Sequence, residues 1–451
     1  MNHLLPGLAA NPSLPPFLVD RLITRVGVGV DASGIPDDDL VRDLVGTLAD
    51  RTDLTPAQVR ALAAHHEHTA VQLAYRGLLP AADADPASRP YAALALLDEG
   101  RGHPRWARAL AADPDPEIRR KLAACPGLPA EVTDALAADP DVEVVAELAL
   151  WTASDVIARL ASHPDPRVRR ATAGNPATAA EVVVALAEDP ELSLNWVLAE
   201  RTDLPQAVYA RLAADPLPGV RATLAGNPGV GEDLVRVLAA DEDDGVRRGL
   251  ARHPRVPLDV LGHLARMAGL GPALLPRIAS ATPDEVAGLA GSAHSAVRML
   301  VAERRDLPPE VRDALASDPD AAVVRAVAAH PGLPEERLRA MVARHGVRVH
   351  ARAAAHPDAP GALLAELARH EPPVRGALRA IAVHPRATAE ALVPCLADPR
   401  AARYAAGHPA LPVPVLTGLL HGPDQEVARA AAANSALPFR VMAELVTVIP
   451  G

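Results

Sequence analysis

Arginine recurs at one place in a repeating pattern of this chain, and its side chain has the geometry to bind carboxylates or phosphates. A guanidinium group offers two parallel N–H donors to either kind of anion. If the repeats stack, these arginines line one face and form a groove for an acidic peptide or a phosphate. Each closely follows an apolar anchor: Arg119, Arg120, Arg169, Arg170, Arg221, Arg247, Arg248, Arg298, Arg325 and Arg352.

A structural role for the same arginines is the interpretation that we favour. Each repeat also contains an Asp-Pro turn, and its aspartate could pair with an arginine of the same or the next unit. A semi-buried arginine needs such a partner. Adjacent residues of a helix point about 100° apart, so we expect an inner position (Arg169, Arg247) to face the stack. The outer position (Arg170, Arg248) then faces away from it.

Trp196 stands at the outer position that arginine holds in other repeats. An aromatic side chain on the surface is a candidate anchor for a partner, and packing over a neighbouring unit is the alternative. With the arginines, it completes the candidate partner-binding set: Arg119, Arg169, Trp196, Arg221, Arg247, Arg298 and Arg325.

Six repeats carry a histidine at the same place, directly before a proline: His163, His253, His330, His356, His384 and His408. Asn11, Asn175 and Asn227 stand at the same place, so the position accepts small polar groups at a helix end. Packed helices lie about 8–10 Å apart, whereas the ligands of one metal lie about 2 Å from it. We therefore interpret these histidines as a repeat signature and predict no zinc site.

A second histidine cluster, His65-His66-Glu67-His68, could offer two ligands on one helix face, because His65 and His68 are three residues apart. No further ligand follows at a defined spacing, and we favour a solvated helix end over a metal site.

Motifs of known catalytic chemistry are absent from the sequence. It has no phosphate-binding glycine loop, no nucleophile elbow and no metalloprotease helix motif. The repeated carboxylates, such as Asp113 and Asp139, have a role as helix caps. We therefore predict no enzymatic activity, no cofactor and no metal.

The elements that carry these residues are units of about 26 residues, and such a period is typical of a solenoid. One apolar position recurs mostly in steps of 26 at Leu110, Leu136, Leu160, Leu186, Leu212, Leu238 and Leu264. A second recurs in the same phase at Ile118, Val144, Val168, Leu194, Val220 and Val246.

Each unit is predicted to contain two short helices. The first begins at Asp-Pro, as at Asp113-Pro114, since aspartate caps a helix and proline suits its first turn. It ends before an X-Pro pair such as Cys125-Pro126. The second follows Leu-Pro, as at Leu128-Pro129, and carries Glu131 in its first turn. No segment alternates in strand fashion, so the fold class is all-α.

The recurring Asp-Pro-Asp-Pro-x-Val-Arg and Pro-x-Leu-Pro-x-Glu-Val motifs resemble the leucine-rich repeat variant family of bacterial solenoids. The resemblance covers residues 106–451 and, more loosely, 1–80. It implies short α- or 3₁₀-helices alternating with α-helices in a right-handed superhelix. A founding type of this family carries a cysteine-ligated iron–sulfur cluster, but Cys125 and Cys395 are the only cysteines here, too few to ligate one.

Composition and charge narrow the range of partners. The net charge is −11, which argues against non-specific nucleic-acid binding. No apolar run is long enough to span a membrane, no signal peptide is evident, and two distant cysteines form no disulfide framework. We expect a cytoplasmic protein that has no contact with the membrane.

The repeats are uneven along the chain. Residues 1–80 are predicted to be divergent repeats, 81–105 an irregular linker or insertion, and 106–451 the main solenoid with a degenerate unit near 266–296. The glycine- and aspartate-rich segment 27–39 is expected to be a loop. The last residues, 446–451, carry no polar capping unit, so we expect that end to fray or to meet a partner.

The sequence thus predicts an all-α solenoid that acts as a non-catalytic scaffold for an unknown protein or peptide partner. The alternative is a solenoid that binds nucleic acid or phosphate through its arginines, like the HEAT-type DNA glycosylases.

Overall fold

The computed structural model describes residues 3–26, 39–267, 270 and 273–447. These residues form α-helices, one 3₁₀-helix and connecting turns, and none of them lies in a strand. The predicted all-α fold is therefore confirmed. The loop expected at 27–39 falls almost wholly outside the described residues, as does part of the degenerate unit near 266–296.

Two compact units divide the chain. Unit N comprises Pro15–Leu212, and unit C comprises Met1–Leu14 together with Ala213–Pro450. The first helix of the chain, α1 (Leu4–Ala9), thus belongs to unit C.

Unit N consists of short helices, including one 3₁₀-helix at Ala81–Asp83. Its α-helices are α2 (Pro16–Val26), α3 (Asp39–Ala49), α4 (Pro56–His65), α5 (Glu67–Tyr75), α6 (Pro90–Asp98), α7 (Pro104–Ala111), α8 (Pro116–Ala123), α9 (Ala130–Ala137), α10 (Val142–Trp151), α11 (Ile157–Leu160), α12 (Pro166–Gly174), α13 (Ala180–Leu186), α14 (Asn195–Glu200) and α15 (Gln206–Ala213).

Unit C continues the same alternation after α1. Its helices are α16 (Pro218–Ala225), α17 (Glu232–Ala239), α18 (Asp244–Leu250), α19 (Leu258–Met267), α20 (Pro276–Ala279), α21 (Pro283–Ala290), α22 (Ser295–Ala302), α23 (Pro309–Ala316), α24 (Ala321–Val327), α25 (Glu335–His345), α26 (Val347–Ala354), α27 (Gly361–Ala368), α28 (Arg375–Ala382), α29 (Ala389–Cys395), α30 (Ala402–Gly407), α31 (Val413–Leu419), α32 (Gln425–Ala432) and α33 (Phe439–Thr447).

The two apolar positions of the repeat form the core of each unit. Leu136, Leu160 and Leu212 are at most 2% exposed, and Val144, Val168 and Val220 are fully buried. The first helices of successive repeats pack on one another, α8 on α10 and α10 on α12 in unit N, and α16 on α18 in unit C. The predicted repeat register is therefore confirmed.

The first helix of a repeat begins two residues later than the sequence predicts. In α8 the N-cap is Asp115, whose carboxylate accepts the N–H of Glu117 at 2.9 Å. Asp113 instead closes the preceding turn by accepting the N–H of Asp115 at 2.9 Å. The motif Asp-Pro-Asp-Pro therefore contains two aspartates with different tasks, because only the second stands directly before the helix.

Residues 81–105, predicted as an irregular linker or insertion, contain the 3₁₀-helix and α6. Pro90 stands at the start of α6, and Ala92 to Leu97 are all buried. Helix α6 packs against α5 and α8. Apolar burial thus makes this segment more regular than its Asp- and Pro-rich start suggests, while the predicted domain limits stay a prediction.

Candidate interaction surface

The inner arginines connect each repeat to the next through an ion pair. Arg119 donates from Nε to Asp139 Oδ2 at 2.7 Å and from Nη2 to Oδ1 at 3.0 Å. Its Nη1 donates to the carbonyl oxygen of Asp113 at 2.8 Å. The two charged side chains are only 12% and 5% exposed. We call this arrangement, in which an arginine binds the first aspartate of the following repeat, the arginine clamp.

The clamp recurs at Arg169–Asp189, Arg221–Asp241 and Arg298–Asp318, and the two partners always stand 20 positions apart in the sequence. Hydrogen bonds from Arg169 and Arg221 hold the pKa of Asp189 and of Asp241 below its usual range. The contacts are those that the structural interpretation of the arginines requires. Binding of a partner by these side chains stays a prediction.

Arg247 departs from the expectation that it behaves like Arg169. The residue 20 positions further on is Met267, which has no charge to offer. Arg247 instead pairs with Asp244 in its own helix and donates to the carbonyl oxygen of Asp241. It is therefore not part of the clamp between consecutive repeats.

The outer position is more open to solvent. Arg120 is bound by Glu117 and Glu147, at 2.9 and 2.7 Å. Trp196 is 48% exposed. The other arginines at the outer position are exposed and have no ion pair with any residue that the structure describes: Arg170, Arg248 and Arg325.

The polar residue one or two positions after the end of a first helix occupies what we call the helix-end slot. In Asn175 the side-chain N–H₂ donates to the carbonyl oxygens of Ala149 and Thr152 in the previous repeat, at 2.8 and 2.7 Å. Its Oδ1 accepts the N–H of Ala177 at 2.8 Å. The slot thus satisfies backbone groups that the helix ends leave unpaired.

Histidine reproduces this pattern with its two ring nitrogens. His356 Nε2 lies 2.8 Å from the carbonyl oxygen of His330, and its Nδ1 accepts the N–H of Asp358 at 3.0 Å. A carbonyl only accepts, so the proton must be on Nε2, and the ring is neutral. Burial is the main cause that lowers the pKa of His356. The interpretation of these histidines as a helix-end position is confirmed for this residue.

Arginine also fills the slot, which the sequence analysis missed. Arg201 donates to the carbonyl oxygens of Asn175 and Thr178, at 3.2 and 2.8 Å, and pairs with Asp203 at 2.6 Å. Arg304 makes the same contacts with Ile278, Ala281 and Asp306. Each of these arginines begins an Arg-x-Asp segment. Arg201 stands 26 residues after Asn175, and Arg304 stands 26 residues before His330, so the repeat period indicated that both belong to the slot.

His65 and His68 do not share a helix face. His65 ends α4 and His68 lies in α5, and the extended backbone of His66 separates the two helices. The premise that both belong to one helix was therefore wrong. Among the described residues, no group of three or more His, Cys, Asp or Glu side chains is arranged to hold a metal ion.

Aromatic side chains lie mostly at the surface. Of the nine in the chain, six are more than 40% exposed: Phe17, Tyr75, Trp151, Trp196, Tyr404 and Phe439. Only Trp106 and Tyr209 are buried. The core therefore relies on alanine, leucine and valine. Apart from Trp196, sequence analysis missed the exposed set, because composition alone gives no side-chain orientation.

Two of these aromatics adjoin a concave part of unit N. Tyr75, Tyr91 and Cys125 line a cavity of about 350 Å³, together with Arg120 and Glu147. Trp151 donates from Nε1 to Glu147 at 2.9 Å and is 58% exposed. We call Tyr75, Tyr91 and Trp151 the aromatic patch.

Burial raises the pKa of the Cys125 thiol to about 12, so this sulfur stays protonated and is a poor nucleophile.

Comparison with known proteins gives no family assignment. No family model matches the chain, and no curated protein matches it. Among solved structures, it is similar to a leucine-rich repeat variant with a novel repetitive structural motif. The identity is 20%, with 56% of this chain and 87% of that one covered and a TM-score of 0.29.

Two further similarities are to solved protein complexes. One is the Pds5–Scc1 complex, with 12% identity, 95% of this chain and 72% of that one covered and a TM-score of 0.17. The other is the SYS-1/POP-1 complex, with 10% identity, 97% and 87% covered and a TM-score of 0.15. Among the described residues, no helix is both long enough and apolar enough to cross a membrane.

Proposed function

We propose that this protein is a non-catalytic scaffold that binds another protein or peptide on its helical surface. The observation that carries the proposal is the exposure of six of the nine aromatic side chains. Tryptophan and tyrosine are the residues most enriched among those that dominate binding energy at interfaces. In this protein these residues are largely absent from the core, although burial of their apolar surface would have stabilised the fold.

The aromatic patch is the best supported contact region. Tyr75 and Trp151 are 50% and 58% exposed, and the cavity beside them would accept an apolar side chain of the partner. Glu147 fixes the indole of Trp151 and the guanidinium of Arg120 at once. A pre-arranged patch of this kind loses little side-chain entropy when a partner binds.

The described polar residues also support a non-catalytic role. The recurring aspartates bind arginines or cap helices, and the helix-end histidines bind backbone groups. Cys395, like Cys125, has a pKa that burial raises to about 12. We propose further that the chain is related to the leucine-rich repeat variant proteins and resides in the cytoplasm. The repeated Asp-Pro-Asp-Pro and Leu-Pro motifs support the relationship.

An alternative is a nucleic-acid or phosphate-binding solenoid. The observation in its favour is that Arg170, Arg248 and Arg325 are exposed without an ion-pair partner among the described residues. Against it, each inner arginine of the clamp is already neutralised by an aspartate, and the chain carries a net charge of −11.

An experiment that cross-links the protein to its partners in an extract of the host, and quantifies the captured protein and nucleic acid, distinguishes these two functions. One variant carries Tyr75→Ala, Trp151→Ala and Trp196→Ala, and a second carries Arg170→Ala, Arg248→Ala and Arg325→Ala. Val237→Ala is the control, since Val237 is an aliphatic side chain that is 60% exposed.

We expect the aromatic variant to lower capture of a protein at least about tenfold, because such anchors contribute about 2 kcal/mol or more. The arginine and control variants should capture it as the wild type does. Capture of nucleic acid that only the arginine variant abolishes, and that weakens steeply with salt, would favour the alternative.

A further inference from the structure

The N-terminal residues 3–14 occupy the end of the repeat array in unit C. Helix α1 packs against α32 and α33, and all six of its residues are buried. Leu4, Leu8 and Leu14 are at most 2% exposed. A segment from the start of the chain therefore covers the last repeat that the structure describes.

The hydrogen bonds of α1 are those of a regular repeat. Asn434, in the helix-end slot of the last repeat, donates to the carbonyl oxygens of Ala406 and His408, both at 2.8 Å. Asn11 donates in turn to the carbonyl oxygens of Ala432 and Asn434, at 3.1 and 2.7 Å. The acceptors are the same two positions, one repeat later. Asn11 thus fills the helix-end slot of a further repeat.

The backbone approach is also that of a regular repeat. A Cβ atom added to Gly7 would lie 2.2 Å from the carbonyl oxygen of Arg429. At the regular contact between α16 and α18, a Cβ on Gly249 would lie 2.6 Å from the carbonyl oxygen of Ala222. Both glycines stand four residues before the slot, and both acceptors stand five residues before it. Only glycine fits at either place.

We propose that the outer face of α32 and α33 is a binding site for a segment with the chemistry of residues 4–14, and that these residues occupy it as an intramolecular cap. The recognised features are a short apolar helix, a glycine at the crossing point and an asparagine that donates to two carbonyls. Release of the cap exposes an interaction surface that is otherwise covered. This inference goes beyond the scaffold function proposed above and does not depend on the aromatic patch.

The test uses the full chain with Ala9→Cys as a reporter. Ala9 is fully buried, and the native Cys125 and Cys395 are buried as well. Two variants release the cap by different chemistry: Gly7→Val introduces the clash with Arg429, and Asn11→Asp removes the donor. Gly288→Val is the matched control, because a Cβ at this helical glycine meets nothing within 4 Å.

We expect the thiol at position 9 to react at least about tenfold faster in both releasing variants than in the reporter protein or the control. A labelled peptide of residues 1–14 should then bind these variants. The reporter protein should bind it at least about tenfold more weakly, since its tethered cap competes at an effective concentration in the millimolar range. The same peptide carrying Gly7→Val should fail to bind.

Several outcomes would overturn the proposal. One is fast reaction of position 9 in the reporter protein itself, and another is continued protection in both releasing variants. A third is release without binding of the peptide, or equal binding by the control. Protection that is lost on dilution also contradicts it, because the cap would then come from a second copy of the chain.

Discussion

Replacing Arg298 by alanine should destabilise unit C by breaking one arginine clamp. Arg298 donates to both oxygens of Asp318, at 2.6 and 2.9 Å, and to the carbonyl oxygen of Ser292 at 2.9 Å. The two charged side chains are 15% and 6% exposed. The variant therefore leaves a buried carboxylate without its counter-charge.

Breaking a buried ion pair by removing one partner costs about 3–5 kcal/mol. Asp318 keeps one hydrogen bond, from the N–H of Asp320 at 2.8 Å, so we expect the lower limit of about 3 kcal/mol. For a cooperative unit of this size, each kcal/mol lowers the melting temperature by about 2–4 °C. The expected loss for Arg298→Ala is thus about 6–12 °C.

The assay is thermal and urea unfolding followed by circular dichroism. Adding Asp318→Asn should restore most of the lost stability, because asparagine is uncharged and still accepts the N–H of Asp320. Arg108→Ala is the control, since Arg108 and its partner Glu131 are both more than half exposed and such pairs contribute little. An unchanged melt for Arg298→Ala, or a double variant no more stable than the single one, would refute the reasoning.

Three further predictions concern other parts of the repeat. His356→Asn should keep the fold and make its stability less sensitive to acid. The pKa of His356 is lowered in the folded protein. The stabilisation that the neutral ring provides is therefore complete above the unfolded pKa of about 6.5 and is lost as the pH falls below that value. Urea midpoints of both proteins from pH 7.5 to 5 check this, and parallel curves would contradict it. Gly249→Ala should destabilise, because its Cβ would meet the Ala222 carbonyl, whereas Gly288→Ala should stabilise by about 0.4–1 kcal/mol; similar melting shifts for the two would count against the packing described. Deleting residues 187–212 should leave a folded, shorter chain, whereas deleting only 187–199 should damage it more, because each repeat contacts its neighbours alone; equal loss of helicity would exclude this register.

Sequence periodicity was sufficient to predict the helices and their core. A repeat of two helices has only one face that neighbouring repeats can bury. The regularly spaced apolar side chains, such as Leu136 and Val168, could therefore be assigned to that face. The exact helix starts were harder to predict, because Asp113 and Asp115 are equally good caps and only backbone geometry separates them. The spacing of apolar residues in the sequence is enough to predict which side chains are buried. Which aspartate caps a helix depends on the backbone geometry at the helix start.

The candidate surface was less predictable than the fold. The difference between Arg169 and Arg247 depends on what stands 20 residues later, Asp189 in one case and Met267 in the other. This rule becomes visible only when the geometry is known. The cover that α1 provides for α32 joins residues more than 400 positions apart, a distance at which a repeating pattern carries no information about contact.

The helix-end slot has a consequence for how such a chain changes length during evolution. Its side chain reaches carbonyl oxygens of the previous repeat, and every amino acid supplies a carbonyl. A duplicated or deleted repeat therefore finds its acceptors at any point of the array, whatever the neighbouring side chains are. The arginine clamp, in contrast, needs an aspartate at one defined distance and fails when it is absent, as at Arg247. Repeat number can thus vary through recombination first, and the ion pairs that strengthen each new junction can be acquired afterwards by point mutation.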